Sequence, residues 1–549
     1  MTVLHNLKKR CFSAENEDMK VFFKVLIMLG LCWTVTAQEN IPLASFDHIP
    51  DSTRLRKTIA GVWLSAEPGC VAVLKPTDYT DGTGKRFSVE SVVYDDVIEV
   101  RIIPYDTNFY NKKKAAKVID AERETVTAKT QLKAAPAAAD ETSQANTNDE
   151  PAKNDTAADT ATAEQPPKEP DALPENLVPT DFAAQIPQGT WVLRRNKKTG
   201  EPISITIYLR ESSELFIVLH PAKLERIRDK SLIDFCLFGA YVRRDVPISF
   251  SFESLYYTSL VQLKERTQSI LPWDIFDPPA VYSTVEATSK ITAERLKQLV
   301  YIDDGAFDED GIPRYIETDK VQTKEEIKYA ANIAEIPAGR KIIGGVNCSG
   351  FVKWIIDGII KPIAGSGTYI ASLQKPTDVP NTGFTQNYVE KRDLFFGLDW
   401  IRNLAAARLS LTMQKTVYPY QAGIDVTVEP FSFSLPVQPH PVIKQKFAGY
   451  FRSVGYQIEY LKPLLYYLAI TEPRNFYLAS INRETGTPPL RQYNHVAAFF
   501  PYFDLLGAFH VAVYENAQAT DLEKFIAINK DAFISLVRIE APEIGFYAP

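Results

Sequence analysis

The stretch that decides the fold is residues 344–352, which read Gly-Gly-Val-Asn-Cys-Ser-Gly-Phe-Val. Asn347 is a favoured residue for capping a helix, and apolar residues follow it at helical spacing as far as Pro362. The stretch therefore predicts a helix whose first turn holds Cys348. At that position the helix dipole and the unpaired backbone N–H groups stabilise an anion, so the thiol is shifted toward the reactive thiolate.

The residues around Cys348 are small. Gly344 and Gly345 give the chain a flexible approach to the helix, and we expect Ser349 and Gly350 to let a substrate backbone come close to the sulfur. The backbone N–H of Cys348 would then help to stabilise an oxyanion. This combination predicts a nucleophilic cysteine.

A nucleophilic thiolate needs a base or an ion-pair partner, which is usually histidine. Two histidines, His495 and His510, lie in neighbouring segments with strand patterns. Because side chains alternate along a strand, His495 and His510 lie on the same face of the strand pair if the turn centres between residues 503 and 504. In another register, Tyr514 or Asn516 lies nearer to His495. The residue that orients His495 is therefore His510, Tyr514 or Asn516.

Residues 347–352 resemble the nucleophile motif of the NlpC-type cysteine peptidases, papain-like bacterial enzymes that usually show Asp-Cys-Ser-Gly followed by two apolar residues. Residues 495–499, His-Val-Ala-Ala-Phe, resemble the His-Val-Gly-Ile-Tyr strand of that family. The resemblance implies a papain-like fold with Cys348 as nucleophile, His495 as base and His510 as the residue that orients the base. It also implies cleavage of amide bonds in the peptide stems of peptidoglycan, with no metal or organic cofactor.

The sequence departs from the family pattern at three places. Asn347 stands where the family has aspartate, and Arg340, Lys341 and the two following isoleucines stand where it has a substrate-site tyrosine. The distance along the chain from Cys348 to His495 is also more than twice the usual one. The helices predicted between residues 395 and 468 would then be an insertion in the domain. These departures leave a different amide or acyl substrate open.

The amino-terminal half has the pattern of β-structure, with an interruption. Residues 134–172 contain no Leu, Ile, Val, Met or aromatic residue, so they cannot contribute to a core. We expect a β-rich region over residues 45–287, interrupted by a disordered acidic insertion at about residues 128–180. One region with an inserted loop is favoured over two separate β modules. Its role is not evident from the sequence.

From Thr288 onward the apolar residues change to helical spacing, which indicates a second domain over residues 288–549. Together the two halves predict an α+β protein: a β-rich amino-terminal region followed by a papain-like cysteine hydrolase domain with a helical insertion. Helices are predicted over residues 291–300, 324–333, 395–411 and 442–468, and strands over residues 475–481, 493–500 and 508–514.

The amino terminus is typical of a secretory signal peptide over residues 1–37, with translation starting at Met19. Lys20 and Lys24 precede a short apolar run, and Val35-Thr36-Ala37 forms a small-residue cleavage site. The alternative is an uncleaved amino-terminal anchor. We expect a secreted, periplasmic or cell-envelope protein with no membrane span after cleavage.

Charge and cysteine content limit the other functions. The net charge of −7 over 549 residues argues against nucleic acid as a partner, because phosphate backbones need a basic surface. Export allows a disulfide between Cys70 and Cys236, although two separate reduced cysteines fit equally well. The sequence contains no Cys-x-x-Cys motif and no Cys/His cluster, so it does not predict a structural zinc site. The alternative to an enzyme is a non-catalytic binding or scaffold protein of the cell envelope.

Overall fold

A computed structural model describes residues 46–105, 186–222, 230–278, 282–331, 341–377, 394–431, 449–504 and 507–543, except for positions 47–48, 61–62, 64, 420–422, 453 and 488. The predicted signal peptide and the predicted acidic insertion both lie outside the described residues.

The amino-terminal half forms an eight-stranded antiparallel sheet in which every strand pairs with the next one along the chain. The strands are β1 (Thr77–Thr80), β2 (Arg86–Val93), β3 (Val97–Pro104), β4 (Trp191–Asn196), β5 (Pro202–Tyr208), β6 (Leu215–Pro221), β7 (Ser231–Leu237) and β8 (Ala240–Ile248). In the β3–β4 pair, Val100 lies opposite Leu193. Residues 106–185 therefore connect two neighbouring strands of a single sheet.

Two helices precede β1 in the described part of the chain, although the apolar run at residues 70–74 predicts a strand; most of the other predicted strand, residues 61–64, lies outside the described residues. Helix α1 (Thr53–Ile59) begins at Ser52, whose side chain accepts a hydrogen bond from the Leu55 N–H. Helix α2 (Pro68–Ala72) begins with proline, which suits the first position of a helix. Cys70 lies on α2 and is exposed, whereas Cys236 is buried in β7, and both are free thiols. The two cysteines thus form no disulfide in this structure.

Three helices and a 3₁₀ turn join the two halves: α3 (Phe252–Leu255), α4 (Leu260–Thr267), the turn at Trp273–Phe276, and α5 (Ser283–Arg295). The predicted helix over residues 291–300 ends early, because β9 (Leu299–Tyr301) follows a short 3₁₀ turn. Strand β9 is held by parallel pairing with β12 (Gly344–Val346). Strands β10 (Gly305–Phe307) and β11 (Pro313–Tyr315) form a hairpin beside them.

The carboxy-terminal half contains a six-stranded sheet with the order β13-β18-β14-β15-β16-β17. Its strands are β13 (Tyr456–Gln457), β14 (Asn475–Thr485), β15 (Leu490–Phe503), β16 (Phe509–Glu515), β17 (Gln518–Thr520) and β18 (Phe533–Glu540). The three strands predicted from the sequence are β14, β15 and β16; β14 and β15 are longer than their predicted ranges, and β16 is shifted by one residue.

The helices of this half are α6 (Lys324–Ala330), α7 (Cys348–Ala364), α8 (Ile370–Leu373), α9 (Phe396–Met413), α10 (Leu461–Thr471) and α11 (Leu522–Ile528). The predicted helix over residues 442–468 is corrected, because α10 begins only at Leu461 and residues 441–448 lie outside the described part. Gly455 has a left-handed backbone (φ 101°), and a Cβ there would lie 2.2 Å from the Ile534 carbonyl oxygen. This close approach to β18 excludes a helix at Gly455.

Among the described residues, two large hydrophobic clusters form most of the core, and a third, smaller one contains Val192 and Val218 of the amino-terminal sheet. One contains Phe235 of β7 together with Leu464 and Leu468 of α10, so the core continues across residue 288. The other surrounds α7, where Phe351 and Ile355 pack with residues of α9, β14 and β15. The described chain is thus of mixed α and β structure. Among its helices, none is both long and apolar enough to cross a lipid bilayer.

Candidate active site

The amino terminus of α7 fixes the position of Cys348. The Asn347 side chain accepts a hydrogen bond from the Gly350 N–H at 2.8 Å, and the Asn347 N–H donates to the Gly305 carbonyl oxygen at 2.9 Å. Asn347 therefore caps the helix, as the sequence predicts, and ties its start to β10. Cys348 is the first residue of the helix and is half-buried.

The small residues around Cys348 serve close packing inside the protein. A Cβ at Gly345 would lie 2.2 Å from the Ile302 side chain, and one at Gly350 would lie 2.0 Å from the Gly305 carbonyl oxygen. Ser349 is buried as well, and its carbonyl oxygen accepts from Trp400 Nε1 at 2.9 Å. This corrects the expectation that Ser349 and Gly350 open a path for substrate, because the helix start packs directly on β10 and α9.

Strand β15 brings His495 to the cysteine. The His495 side chain and the backbone N–H of Val496 lie close enough to the Cys348 thiol to lower its pKa. Burial by itself raises the pKa of the Cys348 thiol, but the hydrogen bond and charge of His495 outweigh it and lower the pKa below its ordinary value. The structure thus brings together the two residues that the sequence predicts as nucleophile and base.

The imidazole has a second partner, Glu515 at the end of β16. His495 Nε2 lies 2.5 Å from Glu515 Oε2, and Thr520 Oγ1 donates to Glu515 Oε1 at 2.9 Å. Burial alone lowers the pKa of His495, but its hydrogen bonds and charge interactions with Cys348 and Glu515 raise the pKa to about 9. The arrangement favours a thiolate–imidazolium pair held in place by a carboxylate.

His510 does not take part in this arrangement. It lies opposite Tyr502 in the β15–β16 pair, and its Nε2 binds Asp504 Oδ2 at 2.9 Å. The physical reason is the register: Ala498 lies opposite Tyr514, which puts Glu515, and not His510, on the face of the sheet that carries His495. A register that differs by one residue moves every side chain to the other face.

Tyr514 and Asn516 are the two alternatives to His510 as the residue that orients His495. The hydroxyl of Tyr514 donates to the Ser289 carbonyl oxygen at 3.0 Å, so it is engaged elsewhere. Asn516 lies in the turn after β16 and lines a cleft of 490 Å³ beside His495. The cleft is lined by Tyr301, His495, Glu515, Asn516, Gln518, Thr520, Ile528 and Asn529.

Sequence reasoning misses Glu515 and Tyr301. Glu515 stands directly after a predicted strand, and a correct register would have identified it. Tyr301 comes from β9, where it pairs with Val346 just before the cysteine, and it is 48% exposed. Burial and then the charges of Asp303 and Cys348 raise the pKa of the Tyr301 hydroxyl. No local pattern in the sequence predicts that Tyr301 lines this cleft.

Comparison with known proteins gives one match. A family described as a domain of unknown function (DUF8515) matches residues 167–275, which include strands β4–β8 and end before the segment that carries Cys348. No curated protein and no solved structure matches the chain. The chain is therefore similar to that family over the second part of its amino-terminal sheet and the helices that follow it.

Proposed function

We propose that this protein is an exported cysteine hydrolase that cleaves amide bonds, with the peptide stems of peptidoglycan as its substrate and a papain-like carboxy-terminal domain. The observation that carries the proposal is the placement of Cys348 beside His495, which hydrogen-bonds Glu515 at the edge of an open cleft. A lowered thiol pKa together with a raised imidazole pKa is the electrostatic signature of an activated cysteine.

In the first half of the reaction, the Cys348 thiolate attacks the carbonyl carbon of the amide. The carbonyl oxygen gains negative charge, and the backbone N–H of Cys348 at the start of α7 is positioned to stabilise it. His495 then transfers its proton to the amide nitrogen, the C–N bond breaks, and the amine leaves. The acyl group remains on the sulfur as a thioester.

In the second half, water replaces the amine. Neutral His495 takes a proton from the water, whose oxygen attacks the thioester carbon and releases the carboxylic acid and the Cys348 thiolate. Glu515 holds the imidazole by Nε2 throughout, which leaves Nδ1 as the ring nitrogen for the sulfur and the leaving group. The carboxylate also stabilises the imidazolium form.

The lining of the cleft supports a peptide substrate. Asn516 and Gln518 carry amide side chains, which both donate and accept hydrogen bonds and so suit peptide groups and carboxylates. The choice of peptidoglycan stems rests on the NlpC-type motif around Cys348 and on the signal-like sequence of residues 1–37. Both features support a substrate in the cell envelope.

The test compares the wild-type protein with Cys348→Ala and His495→Ala on purified peptidoglycan and on γ-glutamyl peptides of a diamino acid. We expect each substitution to reduce the rate of product release by at least about 10³-fold, since nucleophile and base act as one unit. His510→Ala is the matched control, because His510 pairs with Asp504 away from the site, and it should keep wild-type activity.

Labelling with a thiol reagent separates an enzyme from a non-catalytic binding protein. In a Cys70→Ser background without residues 1–37, which removes the thiol that is exposed among the described residues, Cys348 should react with iodoacetamide at about pH 6, where an ordinary cysteine is almost fully protonated. His495→Ala should abolish this reaction at the same pH. Equal labelling with and without His495, together with equal product from the wild-type protein and Cys348→Ala, would show that the cleft is not catalytic.

A further inference from the structure

Three neighbouring strands of the amino-terminal sheet bring one imidazole and two carboxylates together. They are His220 of β6, Asp234 of β7 and Asp245 of β8. His220 Nε2 lies 3.5 Å from Asp234 Oδ2 and 3.5 Å from Asp245 Oδ1. Within the described parts of the chain, this is the group of histidine and carboxylate side chains with the spacing of metal ligands.

The imidazole nitrogen is buried without a hydrogen-bond partner. His220 is 4% exposed, and its Nε2 makes no hydrogen bond to any described residue. A separation of 3.5 Å from each carboxylate is too long for a good N–H···O bond, so the nitrogen points into the space between two oxygens. A buried polar atom left in this way carries a desolvation cost that a ligand would remove.

The backbone holds the two carboxylates close to each other. A β-bulge beside Asp234 interrupts the β7–β8 ladder, and the Asp245 N–H donates to Asp234 Oδ1 at 2.6 Å. Arg244 Nε lies 3.8 Å from Asp245 Oδ2. Positive charge between the carboxylates would therefore be favourable.

We propose that His220, Asp234 and Asp245 form a binding site for a divalent transition-metal ion, with Zn²⁺ as the ion that fits best. Ligand atoms at about 2.0–2.2 Å from a tetrahedral zinc ion are about 3.4 Å apart, which agrees with the two 3.5 Å separations. The imidazole argues against Ca²⁺ and Mg²⁺, which prefer an all-oxygen environment. Three protein ligands leave the fourth position for water or another ligand.

Metal binding at this site stabilises the fold, because each ligand comes from a different strand and the unfolded chain has no preformed site. The site lies inside the segment matched by the domain family of unknown function. The inference does not depend on the proposed hydrolase activity, since none of its three residues takes part in that chemistry.

The experiment uses full-length protein with Cys348→Ala, so that zinc bound by the thiolate does not contribute. After removal of metal with a chelator, the protein is dialysed against Zn²⁺, and bound zinc is measured by elemental analysis. We expect about one zinc ion per chain, and a rise in melting temperature on the order of 5 °C at saturating zinc.

Adding Asp245→Asn or Asp234→Asn should remove both the bound zinc and the zinc-dependent rise in melting temperature. Asp245 has a left-handed backbone (φ 52°) that asparagine also tolerates, so the variant should fold. Adding His510→Ala, which breaks an exposed histidine–aspartate pair, should change neither readout. Unchanged zinc content in the Asp245→Asn protein would overturn the proposal. So would an absence of zinc in the parent combined with a melting temperature that responds only to pH, which would assign the site to a proton.

Discussion

At the scale of single residues, the site works as one chain of coupled groups. Cys348 lies beside His495, and His495 hydrogen-bonds Glu515, so the charge of each group depends on its neighbour. The pKa of the Glu515 carboxyl is lowered, because the hydrogen bond and charge of His495 outweigh the effect of its burial. The active state that we propose is therefore thiolate, imidazolium and carboxylate together, and apparent pKa values belong to the group as a whole.

The pH dependence of activity follows from these shifts. Below the lowered pKa of Cys348 the thiol is protonated and cannot attack, and above about pH 9 His495 is neutral and cannot protonate the leaving amine. We therefore expect a bell-shaped profile of kcat/KM, with its alkaline limb near pH 9. Initial rates on a γ-glutamyl peptide across the pH range measure it. A rate that keeps rising above pH 10 would contradict the assignment of His495 as the acid.

Replacing the carboxylate tests the role of Glu515. Glu515→Gln removes the negative charge that helps to raise the pKa of His495, so the alkaline limb should move to lower pH. The loss of orientation and of charge stabilisation should reduce kcat by about 10²-fold. The pH profile distinguishes this role from a structural one, because simple destabilisation would reduce the rate without moving the limb. Glu523→Gln, an exposed acid on α11, is the matched control.

At the scale of elements, the start of α7 depends on contacts that leave no room for side chains. Gly350 is the sharpest case, because its backbone contacts the backbone of β10 at Gly305. Neither partner can move without disturbing the turn that carries Cys348. This packing makes the helix start rigid, which suits a nucleophile that has to meet His495 in one geometry.

We expect Gly350→Ala to lower the free energy of unfolding by about 1–3 kcal/mol, as overpacking does in other cores. Urea denaturation followed by circular dichroism measures the change. Gly365→Ala is not a suitable comparison, since Gly365 has a left-handed backbone (φ 83°). Gly69→Ala is a better one, because a Cβ there would meet no atom within 4 Å. Similar losses for both variants would show that the close approach at Gly350 has no special cost.

The elements also show what the sequence predicts well. Asn347 and the apolar spacing behind it predict α7, and alternating residues predict β14, β15 and β16. The segment around Cys70 and the strand β9 are not predictable in this way, because short apolar runs fit a helix or a strand equally well. For the same reason Tyr301 is missed: its place beside Cys348 depends on a parallel pairing between strands that are distant along the chain.

At the scale of the whole molecule, the two halves are joined by a shared core. The ring of Phe238 in the turn between β7 and β8 lies 5.5 Å from that of Tyr466 in α10, and Lys462 Nζ lies 2.9 Å from Glu214 Oε2. A boundary near residue 288, as the change in apolar spacing predicts, therefore passes through a continuous hydrophobic cluster. A periodicity change locates a change of secondary structure, but it does not tell whether the two sides pack together.

This packing predicts that residues 288–549 do not fold alone. Without the amino-terminal sheet, Leu464, Tyr466 and their neighbours would face water, so the fragment should aggregate or bind a hydrophobic dye. The full-length protein should unfold in one cooperative transition that includes both halves. Calorimetry of the two proteins tests this. A fragment with its own sharp transition and peptidase activity would instead establish residues 288–549 as an independent domain.

The order of strands sets the order in which the protein can be completed during synthesis. Strands β1 to β8 pair only with their neighbours along the chain, so their ladder can form as the chain emerges. The second sheet is different, because its last strand, β18, inserts between β13 and β14. The sheet that carries His495 and Glu515 is therefore incomplete until residues 533–540 have been synthesised. Cys348 is synthesised well before that, so a growing chain contains the cysteine before the sheet beside it is complete.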